Sequence, residues 1–230
     1  MEQQNSRKLI LKTLEEKACL KQKIHENTRQ VFNQFKECLN EVAQDIDTKM
    51  SKVDDCIIID YKDKGEFEAE IRFADDSLIF FMHPDIFDFD KSHLIWKSSY
   101  VNEDNHRSYC GMINVYNFLT NSFNYNRDND IGYLIARIFI NRDLHFFVEG
   151  KRQLSFLYND FVHSAIDKKS IVSIIESAIL YCLEFDLLTP PYDHVQEVRV
   201  SEMKELSSKT SLKTGKRLGF RFHADDDKMD

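Results

Sequence analysis

Residues 131–150, IGYLIARIFINRDLHFFVEG, constrain the fold of this chain more than any other stretch. Ile, Leu, Tyr and Phe dominate residues 131–140, which is the composition of a strand. Asn141-Arg142-Asp143 breaks the run with turn-forming polar residues, and Leu144 to Val148 resumes it. A three-residue connection is a common hairpin loop. It predicts Ile140 opposite Leu144, Ile138 opposite Phe146 and Ala136 opposite Val148, an apolar set on one face. The other face then pairs Phe139 with His145, Arg137 with Phe147 and Ile135 with Glu149. A slip of one residue would carry Glu149 onto the Ala136 face, so the pattern selects the first register. In that register Arg137 lies diagonal to His145 and Glu149, within reach of a long side chain. Gly150 ends the strand, and Leu154, Leu157, Phe161 and Ala165 recur at helical spacing, which predicts a helix over residues 151–164.

The N-terminal part is of a different kind. No Gly occurs before Gly65 and no Pro before Pro84. Across residues 6–50, Leu14, Ala18, Ile24, Thr28, Val31, Phe35, Leu39, Val42 and Ile46 follow three- and four-residue steps, with one step of six from Ala18 to Ile24, among Lys and Glu, the pattern of a long amphipathic helix. Thr28, the drift between Cys38 and Leu39, and the crowding of Leu9, Ile10 and Leu11 depart from a strict heptad. Such a helix either packs on its own domain or serves self-association or a protein partner; standing ahead of a domain with its own apolar inventory, residues 6–50 are expected to contribute to association more than to that domain's core.

Between these two regions, residues 55–82 read as a three-stranded meander. Cys56–Ile59 is a short apolar run, Lys62-Asp63-Lys64-Gly65 a turn, and EFEAEIRF alternates Phe67, Ala69, Ile71 and Phe73 with charged residues, as a half-buried antiparallel strand does. Ala74-Asp75-Asp76-Ser77 turns the chain into Leu78–Met82. Residues 93–101, HLIWKSSYV, predict a further strand, and residues 109–123 a strand leading into a helical turn. Asp167 to Ser170 offers N-caps for an apolar helix from Ile171 to Leu188, closed by Pro190-Pro191. His194–Val200 and Leu218–Phe222 have the composition of short strands. The expected fold is α+β: an antiparallel sheet of about five to seven strands covered by helices, with a long N-terminal helix. Three segments follow: a helical segment over residues 1–52, the sheet domain over 53–200 and a weakly ordered tail over 201–230.

Charge narrows the function. The chain carries a formal −8, and residues 53–110 hold 14 acidic against 6 basic side chains, which argues against a general nucleic-acid binder. Cys19, Cys38, Cys56, Cys110 and Cys182 are widely spaced and include no CxxC, so reduced thiols are expected in place of a disulfide framework or zinc site. The N-terminus lacks the apolar core of a signal peptide, and no apolar run approaches the ~18 residues of a membrane span. A cytoplasmic location is therefore expected.

Two short stretches carry chemical resemblances. IRFADDSLIFF, residues 71–81, resembles the strand–YxDD–strand box of reverse transcriptases and other palm polymerases, with Phe73 in the aromatic place and Asp60 standing for the first aspartate. The resemblance implies Mg²⁺ held by Asp60, Asp75 and Asp76 for phosphoryl transfer. The chain between Asp60 and Asp75 is too short for the helices a palm inserts there, and an Asp-Asp hairpin turn accounts for the same residues. Asp130…Glu149-Gly150-Lys151 resembles the PD-(D/E)xK nuclease core, which implies Asp130 and Glu149 as Mg²⁺ ligands and Lys151 as the group that helps activate water. The chosen register sends Asp130 to the opposite face from Glu149 and Lys151, Gly150 stands where that family has an apolar strand residue, and Asp130 lacks a preceding Pro. The eight His form neither HxH nor HExxH, and neither GxSxG nor a Gly-rich phosphate loop occurs. Lys213, Lys216, Arg217 and Arg221, interleaved with Phe220 and Phe222, read as a solvated basic tail. The expected function is a non-catalytic interaction or scaffold protein without cofactor, an accessory subunit of a larger assembly; the Ile, Lys, Asn and Phe bias suggests a bacterial one. The alternative is a Mg²⁺-dependent nuclease of the PD-(D/E)xK type.

Overall fold

Each strand pairs with the one before it. In the computed structural model, which describes residues 2–151, 154, 161–162, 165–184, 189, 191–201 and 203–204, β1 (Ile59–Asp63), β2 (Glu68–Phe73), β3 (Asp76–Met82), β4 (Cys110–Leu119), β5 (Tyr133–Asn141) and β6 (Phe146–Gly150) form one six-stranded antiparallel sheet in sequence order. Short turns produce this meander because antiparallel neighbours need no crossover. The fold is α+β, with the sheet and the long N-terminal helix read from sequence.

Helices α1 (Glu2–Thr13) and α2 (Cys19–Met50) are joined by a π-helical turn, Leu14–Ala18. The second half of the apolar stripe lies on the sheet: Val31, Phe32, Phe35, Cys38, Leu39 and Ala43 share one core with Ile71, Phe80, Val115, Ile138 and Phe146. Thr28 interrupts the apolar stripe because of its neighbour. Its hydroxyl donates to the Ile24 carbonyl at 2.8 Å, and the helix comes so close to β4 that a Cβ on Gly111 would lie 2.0 Å from Thr28 Oγ1. The expectation that residues 6–50 serve a partner more than the core is thus corrected for residues 24–46. Only the first part projects: Leu9, Ile10, Leu11 and Leu14 are each more than half exposed.

Helix α5 (Lys168–Leu183) packs beside α2 on the same face through Ile171, Ile174, Ile175 and Ala178. Asp167 caps it, its carboxylate accepting from Ser170 N at 2.7 Å and Ser170 Oγ at 2.6 Å, as the cap signal predicts. A smaller aromatic core on the opposite face joins Phe139 and Phe147 to Ile95, Tyr100, Val101, Cys110 and Phe161.

The hairpin keeps the predicted faces from Ala136 to Val148 but not the predicted pairs, and Ile135, expected on the outer face, joins the main core where the β4–β5 register shifts beside Val115 and Tyr116. Ile140 faces Phe146, Ile138 faces Val148 and Arg137 faces Glu149. The three-residue loop is Arg142-Asp143-Leu144, one residue later than expected, which moves each pair by two and leaves inside and outside unchanged. Asn141 causes the shift. Fully buried, its Oδ1 accepts from Asp143 N at 2.9 Å and His145 N at 3.0 Å, while Leu144 takes the left-handed conformation at φ 63°.

Other local expectations change as well. Residues 93–101 are not a strand: a 3₁₀ turn, Leu94–Lys97, precedes α3 (Ser99–Glu103). His93 caps that turn, its Nδ1 accepting from Ile95 N at 3.2 Å, and Trp96 Nε1 donates to the Phe89 carbonyl at 3.2 Å. These side-chain bonds outweigh the β-favouring composition. Lys62 and Asp63, read as turn, complete β1, whereas Cys56 to Ile58 precede it. Strand β4 runs into α4 (Thr120–Asn124), as expected. His194 and Val195, read as strand, end the helical turn α6 (Tyr192–Val195). Most of the helix predicted at residues 151–164, Pro190, and the tail with its basic cluster and Leu218–Phe222 lie outside the described residues.

Candidate functional site

Strand β6 and the His93 turn bring Glu149 and His93 together at a cleft. Glu149 is held from two sides. Arg137, directly across the ladder, donates through Nη2 to Oε2, and His93 Nε2 lies 3.0 Å from Oε1. Because His93 Nδ1 accepts from Ile95 N, Nε2 carries the proton and donates to Glu149. Both carboxylate oxygens and both imidazole nitrogens are therefore engaged. The cleft beside them has a volume of about 400 Å³ and is lined by Ile95, Ser98, Phe147 and Phe161 as well as His93 and Glu149. Its size suits a small molecule, and the Ser98 hydroxyl, buried at its wall, has no hydrogen-bond partner among the described residues.

Asp130 belongs to a different place. It precedes β5, where Ser122 Oγ donates to its carboxylate at 2.6 Å and Arg127 Nε approaches to 3.1 Å. Lys151 follows β6, its N–H donating to the Ile135 carbonyl at 3.1 Å. The structure joins Glu149 to Arg137 and His93, and joins Asp130 to Ser122 and Arg127; the two acids share no bonding partner in these contacts. Among the described residues no group of three or more His, Cys, Asp or Glu side chains could hold a metal ion.

The aspartates of the polymerase-like stretch also separate. Asp75 lies in the β2–β3 turn, its carbonyl accepting from Thr120 N at 2.8 Å. Asp76 opens β3 opposite Phe73 and Leu119, on the face of the helices. Asp60, opposite Arg72 on the other face, pairs with Lys62 at 3.4 Å. On that outer face Glu70 is fully buried yet charged. Burial pushes its carboxyl up, but Arg72, Lys64 and Ser77 outweigh it and hold the group below the usual carboxylate range.

A second polar network pins the hairpin loop. Tyr100 Oη donates to Asp143 at 2.7 Å and accepts from Asn141 Nδ2 at 3.0 Å, its ring stacks on His145 at 4.7 Å, and Arg107 covers the other side at 4.2 Å. Burial above all raises the phenol to about 12. These groups hold one another, which is the behaviour of a structural network.

Sequence reasoning missed His93, because its segment reads as strand, and Ser98 with it. The N-terminal arm is both apolar and basic. Residues 1–23 carry six basic against three acidic side chains, and Leu9, Ile10, Leu11 and Leu14 stand in solvent on a helix that runs on from the core. Cys19 and Cys56 are exposed free thiols, and Cys38, Cys110 and Cys182 are buried ones. No helix among the described residues is long and apolar enough to cross a membrane. No family model, curated protein or solved structure matches this chain.

Proposed function

We propose that this is a non-catalytic interaction protein, an accessory subunit that docks into a larger assembly through its N-terminal arm. The observation that carries the reading is the arm: four large apolar side chains exposed together at the start of a helix whose later turns are built into the core. Large apolar side chains left together in water mark association surfaces. The arm is basic and the rest of the chain is acidic by more than the overall −8, so the occupant that fits is another protein with an apolar groove rimmed by acid, taking the helix as grooves take amphipathic segments. Glu149, with both oxygens occupied, supports a structural role for the candidate acid that lines the cleft.

The test compares the full chain with Leu9→Glu/Leu14→Glu protein in the cells that carry it. A partner that co-purifies in fixed ratio, reassembles from pure components and is lost in the double variant, whose circular dichroism is unchanged, supports the reading. Retention of every such partner by the double variant overturns it, and dimerisation of the pure chain through the arm would replace the partner by a second copy. Purified protein with Mg²⁺ or Mn²⁺ should leave DNA and RNA intact. Cleavage abolished alike by Asp130→Ala, Glu149→Ala and Lys151→Ala would establish the nuclease instead.

A further inference from the structure

The sheet has two edges, and they differ. Near β6 the edge is engaged: His145 bridges to Ala165, and Ile166 N donates to the Leu144 carbonyl at 2.9 Å. Among the described residues, strand β1 has β2 as its single neighbour. Lys64 N donates to Glu68 O at 3.1 Å and Ala74 N to Ile58 O at 3.2 Å, and Tyr61 faces Ile71 between them. Antiparallel ladders alternate bonded and non-bonded pairs. Asp60 and Lys62 therefore bond inward to β2, and the N–H and C=O groups of Ile59, Tyr61 and Asp63 point outward. No backbone bond to these outward groups occurs among the described residues.

An open row of this kind is a template for another strand, and natural proteins usually blunt it with charge. Here the charges have both signs. Asp60 and Lys62 stand on the outer face, their side chains 42% and 44% exposed. Antiparallel pairing of two copies can centre on Asp60, Tyr61 or Lys62, since each choice brings outward backbone groups together. Centring on Asp60 sets two carboxylates face to face, and centring on Lys62 sets two ammonium groups so. Centring on Tyr61 places Asp60 opposite Lys62 of the second copy, twice, with Ile59 opposite Asp63. Opposite charges across non-bonded pairs stabilise and like charges repel, so charge alone selects one register. It also continues the order already present between β1 and β2, where Asp60 faces Arg72 and Lys62 faces Glu70.

We infer that β1 pairs with β1 of a second copy about a twofold axis at Tyr61, extending the sheet across both chains. The contact is independent of the N-terminal arm, and a C2 interface is self-complementary by construction. Its short strands make a weak dimer, to be sought by sedimentation from about 10 μM to about 1 mM.

Charge reversal supplies the test. Asp60→Lys protein alone would set lysines against lysine, and Lys62→Asp protein alone would set aspartates against aspartate. Mixed one to one, each lysine meets an aspartate. Each variant alone should dimerise at least about tenfold more weakly than the wild type, and the mixture should recover the loss. Amide exchange gives a reading without variants: protection at Ile59, Tyr61 and Asp63 should rise with concentration while that at Asp60 and Lys62 stays constant. A wild type that remains monomeric throughout, a dimer indifferent to both reversals, or a mixture no tighter than its components overturns the inference. Folding of each variant is checked by circular dichroism, and the exchange result decides where one fails to fold.

Discussion

Leu144 distinguishes the observed hairpin from the one expected by pattern, because replacing it with Gly should act in opposite directions in the two. In the structure it closes the loop at φ 63° and is 37% exposed. In the expected register it would pair with Ile140 inside a strand. The comparison is between Leu144→Gly and Leu144→Ala, since both remove the same packing and the difference leaves the backbone alone. A left-handed residue with a Cβ costs about 1–2 kcal/mol, and the extra chain freedom of Gly returns about 0.5–1 kcal/mol of that. The Leu144→Gly protein should therefore be the more stable of the two by about 0.5–1 kcal/mol. In a strand the same entropy would make it the less stable by about 0.5–1 kcal/mol. The two cases differ by more than urea denaturation resolves, provided the denaturant slopes agree. In melting temperature the expected gap is about 1–4 °C for a chain of this size. A Leu144→Gly protein less stable than its Leu144→Ala counterpart would refute the loop and the account of Asn141 that goes with it.

Gly111→Ala should destabilise by about 1–3 kcal/mol or more, because the new Cβ would meet Thr28 Oγ1 at 2.0 Å; thermal unfolding of Gly111→Ala alone and with Thr28→Ala should show partial rescue, and additive losses would count against the contact. Glu70 has a lowered folded pKa, so its stabilisation is present above the ordinary carboxyl value and is lost as pH falls through the folded one. Glu70→Gln should thus flatten the loss of stability below about pH 5, and an unchanged acid limb would show that the ion pairs with Lys64 and Arg72 carry no net weight. Deleting residues 1–18 should leave a cooperative fold, whereas deleting residues 1–50 should abolish it. The second truncation removes Ile24, Val31, Phe32, Phe35 and Leu39, all buried, at about 1.5–3 kcal/mol each, against a usual domain stability of about 5–15 kcal/mol. A folded remainder after the longer cut, judged by its near-ultraviolet dichroism, would mean that the sheet is covered in another way.

What was legible in the chain was what a period specifies. Alternation in residues 66–73, the unbroken apolar face of the central hairpin and the Gly- and Pro-free helical run each settle an element and its buried side. The elements that escaped are those decided by one polar side chain meeting a backbone group. His93 turns an apolar, Trp-bearing stretch into a 3₁₀ turn through a single bond to Ile95 N, and Asn141 moves a loop by one residue through two. Neither bond leaves a periodic trace. Parity survived the second error because the loop kept three residues, so Glu149 still faces Arg137's side of the sheet.

The helix shows a different limit. Its apolar stripe runs from Leu14 to Ile46 with one step of six residues between Ala18 and Ile24, and it serves two ends. From Ile24 onward it meets the sheet and α5, and before that it extends past them. Amphipathicity records that a face must be covered but not by what. The π-helical turn at Leu14–Ala18 stands between the two regimes. Such a turn breaks the regular α-helical spacing, and the apolar side chains before it crowd at Leu9, Ile10 and Leu11 instead of stepping by three and four. That crowding, with the six-residue step from Ala18 to Ile24, is the sign in the sequence that the first turns do not share the surface covered by the later ones. The candidate chemistry was obscured in a similar way. Glu149 on a strand end reads equally as a metal ligand or as half of an ion pair until the residue across the ladder is known. Arg137 supplies that residue, and His93, 56 residues earlier in the chain though adjacent in space, closes the second oxygen.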